Sequence, residues 1–395
     1  MKDMDIVEIR KAIPATQKVI YLNTGWSGPS PARVVERIKE WLELESQEGP
    51  TSRHVLEASH QTVQEAREAV ADLLGVSAEE IALMQNTTQG INIVINGLTW
   101  RPGDEMVTTD LEHPAVIVPS YFLGKRRRVK VKVVDLMDVQ DEGAILDRLE
   151  AAISPRTQLI CLSHIMYTDG LRLPLARIQA LAHSRGIPVL VDGAQSAGQM
   201  PLDLRALDCD FYSLPGHKWL LGPDGTGALF IRKELIPQVR AVNVGHWSVA
   251  SVERQSSLRE TPGEIRKFEV STTSSALWAG LATTIAFHQF VGPQMVWERV
   301  LALSSLLCRE LAAVPGARVL SPRGQGLASG LVTFSLEGVE PKEVVDYLWQ
   351  RCQAVARTVA YPAGVRFSTA FFNTEEEIGK VVECLKGLPR GKGGG

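Results

Sequence analysis

PVLVDGAQSAG (188–198) and DCDFYSLPGHKWLLGPDGTGALFI (208–231) are the stretches on which the reading of the whole chain turns. One apolar run ends in Asp192. A second ends at a turn of Pro215, Gly216 and His217 that presents Lys218, twenty-six residues after the aspartate. A lysine directly behind a core strand loses hydration, so it is costly to place unless something bonds it. Outward from there, short apolar runs at 105–109, 130–136, 158–162, 188–191, 210–214 and 227–231 read as strands. Between them, 61–74, 90–97, 115–124, 143–153 and 174–184 read as helices. In the first of these, Val63, Ala66, Val70 and Leu74 recur at spacings of three and four. Strands alternating with helices imply an α/β fold with a mostly parallel sheet covered on both faces, which takes ligands beyond the carboxyl ends of its strands. Beyond residue 285 the pattern changes to helices at 296–311, 341–352 and 375–385 and a strand at 332–336, a smaller α+β unit. The expected division is an N-terminal segment 1–26 packing with the small domain, a large domain 27–285, a small domain 286–388 and a disordered tail 389–395.

Composition narrows the function. The chain has 395 residues, 45% hydrophobic and 22% charged, which excludes a fibre, a coiled coil and a disordered polymer. With 42 Lys+Arg against 45 Asp+Glu the net charge is −3, and no general attraction to nucleic acid or membrane follows. The basic run KRRR (125–128) reads as a solvated loop leading into a strand. Five scattered cysteines without CxxC spacing read as reduced thiols, neither a disulfide frame nor a zinc site, and no metal is expected. The first residues lack an apolar core and read as no signal peptide, and no 18-residue apolar window is present. The expectation is a soluble, cytoplasmic protein.

An aspartate and a lysine at the ends of two core strands are what a pyridoxal phosphate enzyme needs. The lysine forms the Schiff base with the cofactor, and the carboxylate keeps the pyridine nitrogen protonated so that the ring can absorb a carbanion's electrons. SLPGHKWLLGPDGTGAL (213–229), YLNTGWSGPSP (21–31) and RFSTAFFNTEEEI (366–378) together resemble the fold-type I pyridoxal phosphate enzymes of aminotransferase class V. The likeness is to the cysteine desulfurase-like superfamily, nearest its cysteine/cystine C–S lyase and isopenicillin N epimerase-like branch. It implies a large domain with a mostly parallel seven-stranded sheet, a small C-terminal domain, and a catalytic set of Lys218, Asp192 and His113, with the histidine stacked on the cofactor ring. It also implies a phosphate site at NTTQGIN (86–92), with Thr87, Thr88 and Gln89 at a helix start, where backbone N–H groups favour an anion. Gln195 is expected on the cofactor's phenolic oxygen, and Ser213 and His217 on its phosphate. Thr272 in RKFEVSTTS (266–274) is expected to reach the phosphate of a partner subunit in a homodimer, with Thr273 the alternative. For the amino-acid substrate the resemblance implies Arg366 on the α-carboxylate, for which a planar guanidinium is suited, with Arg357, Trp26 and Tyr167 nearby. The glycines of GPDGTG (222–227) are in the wrong order for a dinucleotide loop, and a strand follows them.

The chain departs from the desulfurase pattern at two places. RTVAYPAGVR (357–366) is short and holds no cysteine where a nucleophilic thiol would stand. SHIMYTDG (163–170) places Tyr167 where desulfurases carry an asparagine. Without a thiol the simplest chemistry is β-elimination: Lys218 takes the α-proton, sulfur leaves the β-carbon, and pyruvate and ammonia result. The expected function is therefore a C–S β-lyase on cysteine, cystine or a related sulfur amino acid. A class V aminotransferase, an amino-acid epimerase, a cysteine desulfurase and a non-enzymatic sulfur-assembly partner are the alternatives.

Overall fold

The computed structural model describes residues 5–139, 141–253, 257–261, 263–322, 324 and 326–389, so all of the expected tail but Pro389 lies outside the described residues. The chain enters through helix α1 (Ile6–Ala12) and the short strand β1 (Ile20–Tyr21), then runs through two long helices, α2 (Ala32–Glu48) and α3 (Arg53–Leu74). Ser52 caps α3, its hydroxyl accepting from the Val55 N–H, so the helix starts earlier than the apolar periodicity alone predicts.

Seven strands build the main sheet: β2 (Ile81–Met84), β3 (Glu105–Thr109), β4 (Lys130–Val134), β5 (Thr157–Ser163), β6 (Val189–Asp192), β7 (Phe211–Pro215) and β8 (Gly227–Ile231). Their spatial order is β2-β8-β7-β6-β5-β3-β4. The pairs from β7 through to β4 are parallel. Strand β8 runs antiparallel to both β7 and β2, because the glycine-rich turn after Lys218 sends the chain straight back. Helices α4 (Thr87–Gly97) and α5 (Pro114–Arg127) cover one face. The other face is covered by α3, α6 (Glu142–Ala152), α7 (Leu175–His183) and α8 (Ser275–Val291). Val189 and Val191 pack into one layer and Leu190 into the other, which is why such strands are apolar at every position. The KRRR run is not a loop: Lys125, Arg126 and Arg127 form the last turn of α5, where cations face the negative end of the helix dipole.

An exposed hairpin of β9 (Val249–Glu253) and β10 (Ser257–Glu260) precedes α8, and α9 (Pro293–Ala312) follows it. A second sheet has the order β11-β12-β15-β14, from β11 (Ala317–Val319), β12 (Leu331–Leu336), β14 (Arg357–Ala360) and β15 (Ala363–Ser368). It packs on α9, α10 (Pro341–Cys352) and α11 (Glu375–Lys386) around its own core of Leu307, Phe334, Leu348, Phe367 and Val381. Strand β1 pairs with β13 (Ala354–Val355) in a separate two-stranded sheet, and Ile20 and Leu22 join the core of this smaller unit. Residue 285, where the sequence suggested a break, lies within α8. No helix among the described residues is long and apolar enough to cross a membrane.

Two glycines report on packing. A Cβ at Gly193 would stand 2.0 Å from the Tyr212 ring, whereas one at Gly379, inside α11, meets nothing within 4 Å. Gly193→Ala should therefore destabilise the fold by ~1–3 kcal/mol through overpacking. Gly379→Ala should stabilise it by ~0.5–1 kcal/mol through helix propensity. Denaturant unfolding of the two variants checks the pair, and equal effects of either sign would contradict this packing.

Candidate active site

The carboxyl ends of β6 and β7 and the start of α4 surround a cavity of about 200 Å³. Its walls include Trp26, Thr87, Thr88, His113, Tyr167, Asp192, Gln195, His217, Lys218, Arg357 and Arg366. Eleven of the fourteen residues singled out from the sequence thus meet in one place, drawn from segments as far apart as residues 26 and 366. Gln89, Ser213 and Thr272 stand outside its walls.

Asp192 ends β6, is 3% exposed, and accepts the Ala194 N–H on Oδ1 at 2.8 Å. Burial raises its pKa, and the charge of Lys218 opposes that rise. Lys218 follows β7 and is half-buried as a residue, with its amine desolvated at the cavity wall. Its pKa falls to about 8, chiefly through desolvation, with Arg366 and Arg357 adding to the fall and Asp192 resisting it. Lys218 thus favours the charged carboxylate at Asp192, whereas desolvation and the two arginines, against the pull of Asp192, favour the neutral amine at Lys218.

His113 is the N-cap of α5, and its Nδ1 accepts the Ala115 N–H at 3.1 Å. That bond leaves the ring proton on Nε2. Burial, helped by Lys218, Arg357 and Arg366, lowers its pKa to about 4, so the ring is neutral at physiological pH. Tyr167 meets it edge to face, with centroids 4.8 Å apart.

Arg357 and Arg366 are directly paired across β14 and β15, so both side chains leave the same face of the small sheet. The Arg366 Nη1 donates to the Tyr167 carbonyl at 2.5 Å, while Nε and Nη2 are buried without a hydrogen-bond partner. An orphaned guanidinium edge on a residue lining this cavity suits a planar anion. Its pKa is lowered to about 9 by burial and by Arg357, which leaves it charged at neutral pH. The Arg357 guanidinium lies 4.5 Å from the centre of the Trp26 indole, itself 57% exposed at the cavity mouth.

The phosphate end differs in detail from expectation. Asn86 caps α4 by accepting the Gln89 N–H at 2.9 Å, and the Gln89 side chain accepts the Gln85 N–H at 2.8 Å. Gln89 thus helps to form the helix start through its N–H and its side-chain oxygen, which leaves its amide NH2 and the N–H groups of Thr87 and Thr88 for an anion. Ser213, expected on the phosphate, instead donates to the Thr87 carbonyl at 2.9 Å and supports that helix from below. The Gln195 amide donates to the Gly25 carbonyl at 2.9 Å and accepts the Trp219 indole N–H at 2.8 Å. Only its second amide hydrogen is left for a cofactor oxygen. The His217 Nδ1 is buried without a hydrogen bond, 3.8 Å from Asp224. Thr272 is exposed on its own chain, and the Thr273 hydroxyl accepts the Trp278 indole N–H at 2.7 Å.

The sequence reading missed Glu112. It is fully buried and accepts from the Thr109 hydroxyl, the Ser163 N–H and the Ser163 hydroxyl at 2.9, 3.0 and 2.6 Å. Burial raises its pKa to about 7, with Asp192 contributing to the rise. Its only sequence signal was its place before His113 in DLEHPA. No cysteine lines the cavity. Cys352 ends α10, its thiol donating to the Leu348 carbonyl, and burial pushes its pKa up to about 12.

These residues fit pyridoxal phosphate. A buried amine and carboxyl face one cavity, unpaired helix N–H groups and a bare histidine nitrogen flank it, and an orphaned guanidinium edge closes the far end. Comparison with known proteins agrees. A probable cysteine desulfurase of Methanothermobacter thermautotrophicus is 30% identical over 402 residues, covering 96% of this chain and 98% of that one. The isopenicillin N epimerase of Streptomyces clavuligerus is 30% identical over 398 residues, covering 97% and 98%. Among solved structures, a mutant of C-DES with glycine covalently linked to its PLP cofactor superposes with a TM-score of 0.91 at 29% identity, covering 96% of this chain and 99% of that one. The cystine C–S lyase C-DES in complex with its product cysteine persulfide gives 0.89 at 29% identity, covering 95% and 99%. The model of the family Aminotransferase class-V matches residues 20–381, and with this cavity behind the match the chain belongs to that family, as a pyridoxal phosphate-dependent enzyme of fold type I.

Proposed function

We propose that the chain is a C–S β-lyase acting on cysteine, cystine or a related sulfur amino acid. The observation that carries this reading is a cavity holding Lys218 and an unsatisfied Arg366 but no cysteine. Strands β14 and β15 pair from Arg357↔Arg366 to Ala360↔Ala363, so the segment where a desulfurase thiol is expected is a tight hairpin. The likeness to the cystine C–S lyase C-DES supports the same choice.

In this reading Lys218 anchors the cofactor, Asp192 holds the proton on its ring nitrogen, and His113 packs on its ring. The N–H groups of Thr87 and Thr88, the Thr88 hydroxyl and His217 would take its phosphate, and Gln195 would meet its phenolic oxygen. When bound, the cofactor withdraws the electron pair that deprotonation leaves at the substrate α-carbon. Arg366 binds the substrate carboxylate through Nε and Nη2, which orients the α-hydrogen, and Arg357 with Trp26 covers the mouth. The Lys218 amine, free once the substrate's own amine has displaced it, would take the α-proton, and the bond from the β-carbon to sulfur would break with its electrons leaving on sulfur. The released enamine takes up water to give pyruvate and ammonia. We assign residues 27–285 to cofactor binding and 286–388, with the N-terminal segment, to gripping the carboxylate. The active unit is a homodimer in which Thr272 serves the partner's phosphate site, a role its exposure and its distance from its own cavity wall support. Five free thiols support a reducing, cytoplasmic setting.

Only the uncharged amine attacks an aldehyde. Uptake of pyridoxal phosphate by the stripped protein should therefore rise about tenfold per pH unit below about 8 and level off above it. Stopped-flow absorbance checks this, and a rise continuing to the ordinary lysine range would contradict the buried amine.

Elimination needs no thiol. A folded variant with all five cysteines replaced should keep making pyruvate from cysteine or cystine. Pyruvate, sulfide, alanine, keto acids and the D-amino acid are assayed together. Alanine as the main product, with loss of turnover in Cys352→Ser, would turn the reading to a desulfurase. D-amino acid or keto acid without pyruvate would turn it to an epimerase or an aminotransferase.

The dimer makes its own prediction. Chains carrying Lys218→Ala, mixed with chains carrying Thr272→Ala, should recover activity as heterodimers, because intact threonines then serve intact lysines. A verified heterodimer without recovery would place Thr272 in its own subunit's site.

A further inference from the structure

Strand β2 lies at the edge of the main sheet, paired only with β8. An edge strand leaves alternate N–H and C=O groups unpaired, and here one ion pair takes them up. Arg67, on α3 and 4% exposed, donates from Nη1 to the Ile81 carbonyl at 2.6 Å and to Glu269 Oε1 at 2.6 Å. Its Nη2 donates to Glu269 Oε2 at 3.0 Å. Glu269 Oε1 also accepts the Leu83 N–H at 2.8 Å. The carboxylate and the guanidinium together act as the missing neighbour strand.

The position of this clamp gives it a second consequence. Strand β2 ends at Met84, and Asn86, the N-cap of α4, follows almost at once. Three residues beyond Glu269 is Thr272. The same ion pair therefore sits at the root of both segments read as phosphate-binding, the Thr87–Thr88 helix start and the threonine segment after Glu269. We propose that Arg67 and Glu269 are positioning residues for the cofactor phosphate. They fix the register of α4's first turn and hold the 270–274 segment in the orientation from which Thr272 acts. The inference rests on the phosphate reading given above. A buried bidentate pair suits such a task, because a planar guanidinium and a carboxylate meet in one geometry only. Loss of either partner strands the other charge away from water.

The test separates positioning from mere support of the fold by using two ligands that differ only in phosphate. Stripped full-length protein is titrated with pyridoxal phosphate and with pyridoxal, following the absorbance of the lysine adduct. In Glu269→Gln the affinity for pyridoxal phosphate should fall about tenfold, while that for pyridoxal stays near that of the parent, even though the melting temperature falls because Arg67 loses its buried partner. Thr88→Ala, the reference variant, should show the same selective loss if the phosphate reading is right. Parallel loss of both ligands in Glu269→Gln, or unchanged affinity for both, overturns the positioning role. A Thr88→Ala chain with no selective loss overturns the phosphate reading beneath it. Should Glu269→Gln not fold, the double replacement Arg67→Met/Glu269→Met, which leaves no buried charge unpaired, is titrated in its place and judged by the same selectivity.

Discussion

Burying the Lys218 amine and the Asp192 carboxyl in one cavity is the constraint from which the rest of the architecture follows. Neither charge is at home away from water, and each moderates the cost of the other. Strands β6 and β7 are parallel neighbours with Asp192 opposite Ser213, so both groups emerge at one edge of the sheet. Helices on both faces keep that edge dry. The turn that lifts Lys218 into place is tied down in its turn: the Gly28 N–H donates to the His217 carbonyl, and the Trp219 indole to Gln195.

The cavity is rich in positive charge. Lys218, Arg357 and Arg366 each depress the pKa of His113, and the two arginines also depress that of Lys218. Like charges gathered in one cavity repel one another, and such a cavity favours anionic ligands. Glu112, next to His113 in sequence, is a further buried acid, and Asp192 contributes to the rise of its pKa.

Much of this was legible in the sequence where burial leaves a local mark. The segments 105–109 and 227–231 are strands to the residue, because apolar runs bounded by turn residues suit buried strands. Strand β2 was not legible: Ile81–Met84 is only four residues long and apolar at every position, so it carries no alternation. Helix α8 escaped because Ala276, Ala279 and Gly280 are buried on other sides than the Trp278, Leu281, Ile285 and His288 stripe, which blurs the 3.6-residue period. At the site, Lys218 and Asp192 announce themselves by being expensive. The tasks of Ser213 and Gln195 do not, because their partners are Thr87, Gly25 and Trp219, chosen by the fold across long stretches of chain. Arg67 and Glu269 lie 202 residues apart, and nothing local marks either as half of a pair.

The hairpin of β14 and β15 has a kinetic consequence. A protein that passes sulfur through its own thiol must wait for an acceptor to clear that thiol, and its rate then depends on two reactants in alternation. A short ladder of backbone hydrogen bonds, with arginines where the carrier would be, has nowhere to store the atom. On the elimination reading, each turnover is complete once the leaving group diffuses away. Velocity then responds to the amino acid alone, and reduced sulfur enters solution as a free solute available to any thiophilic target within reach.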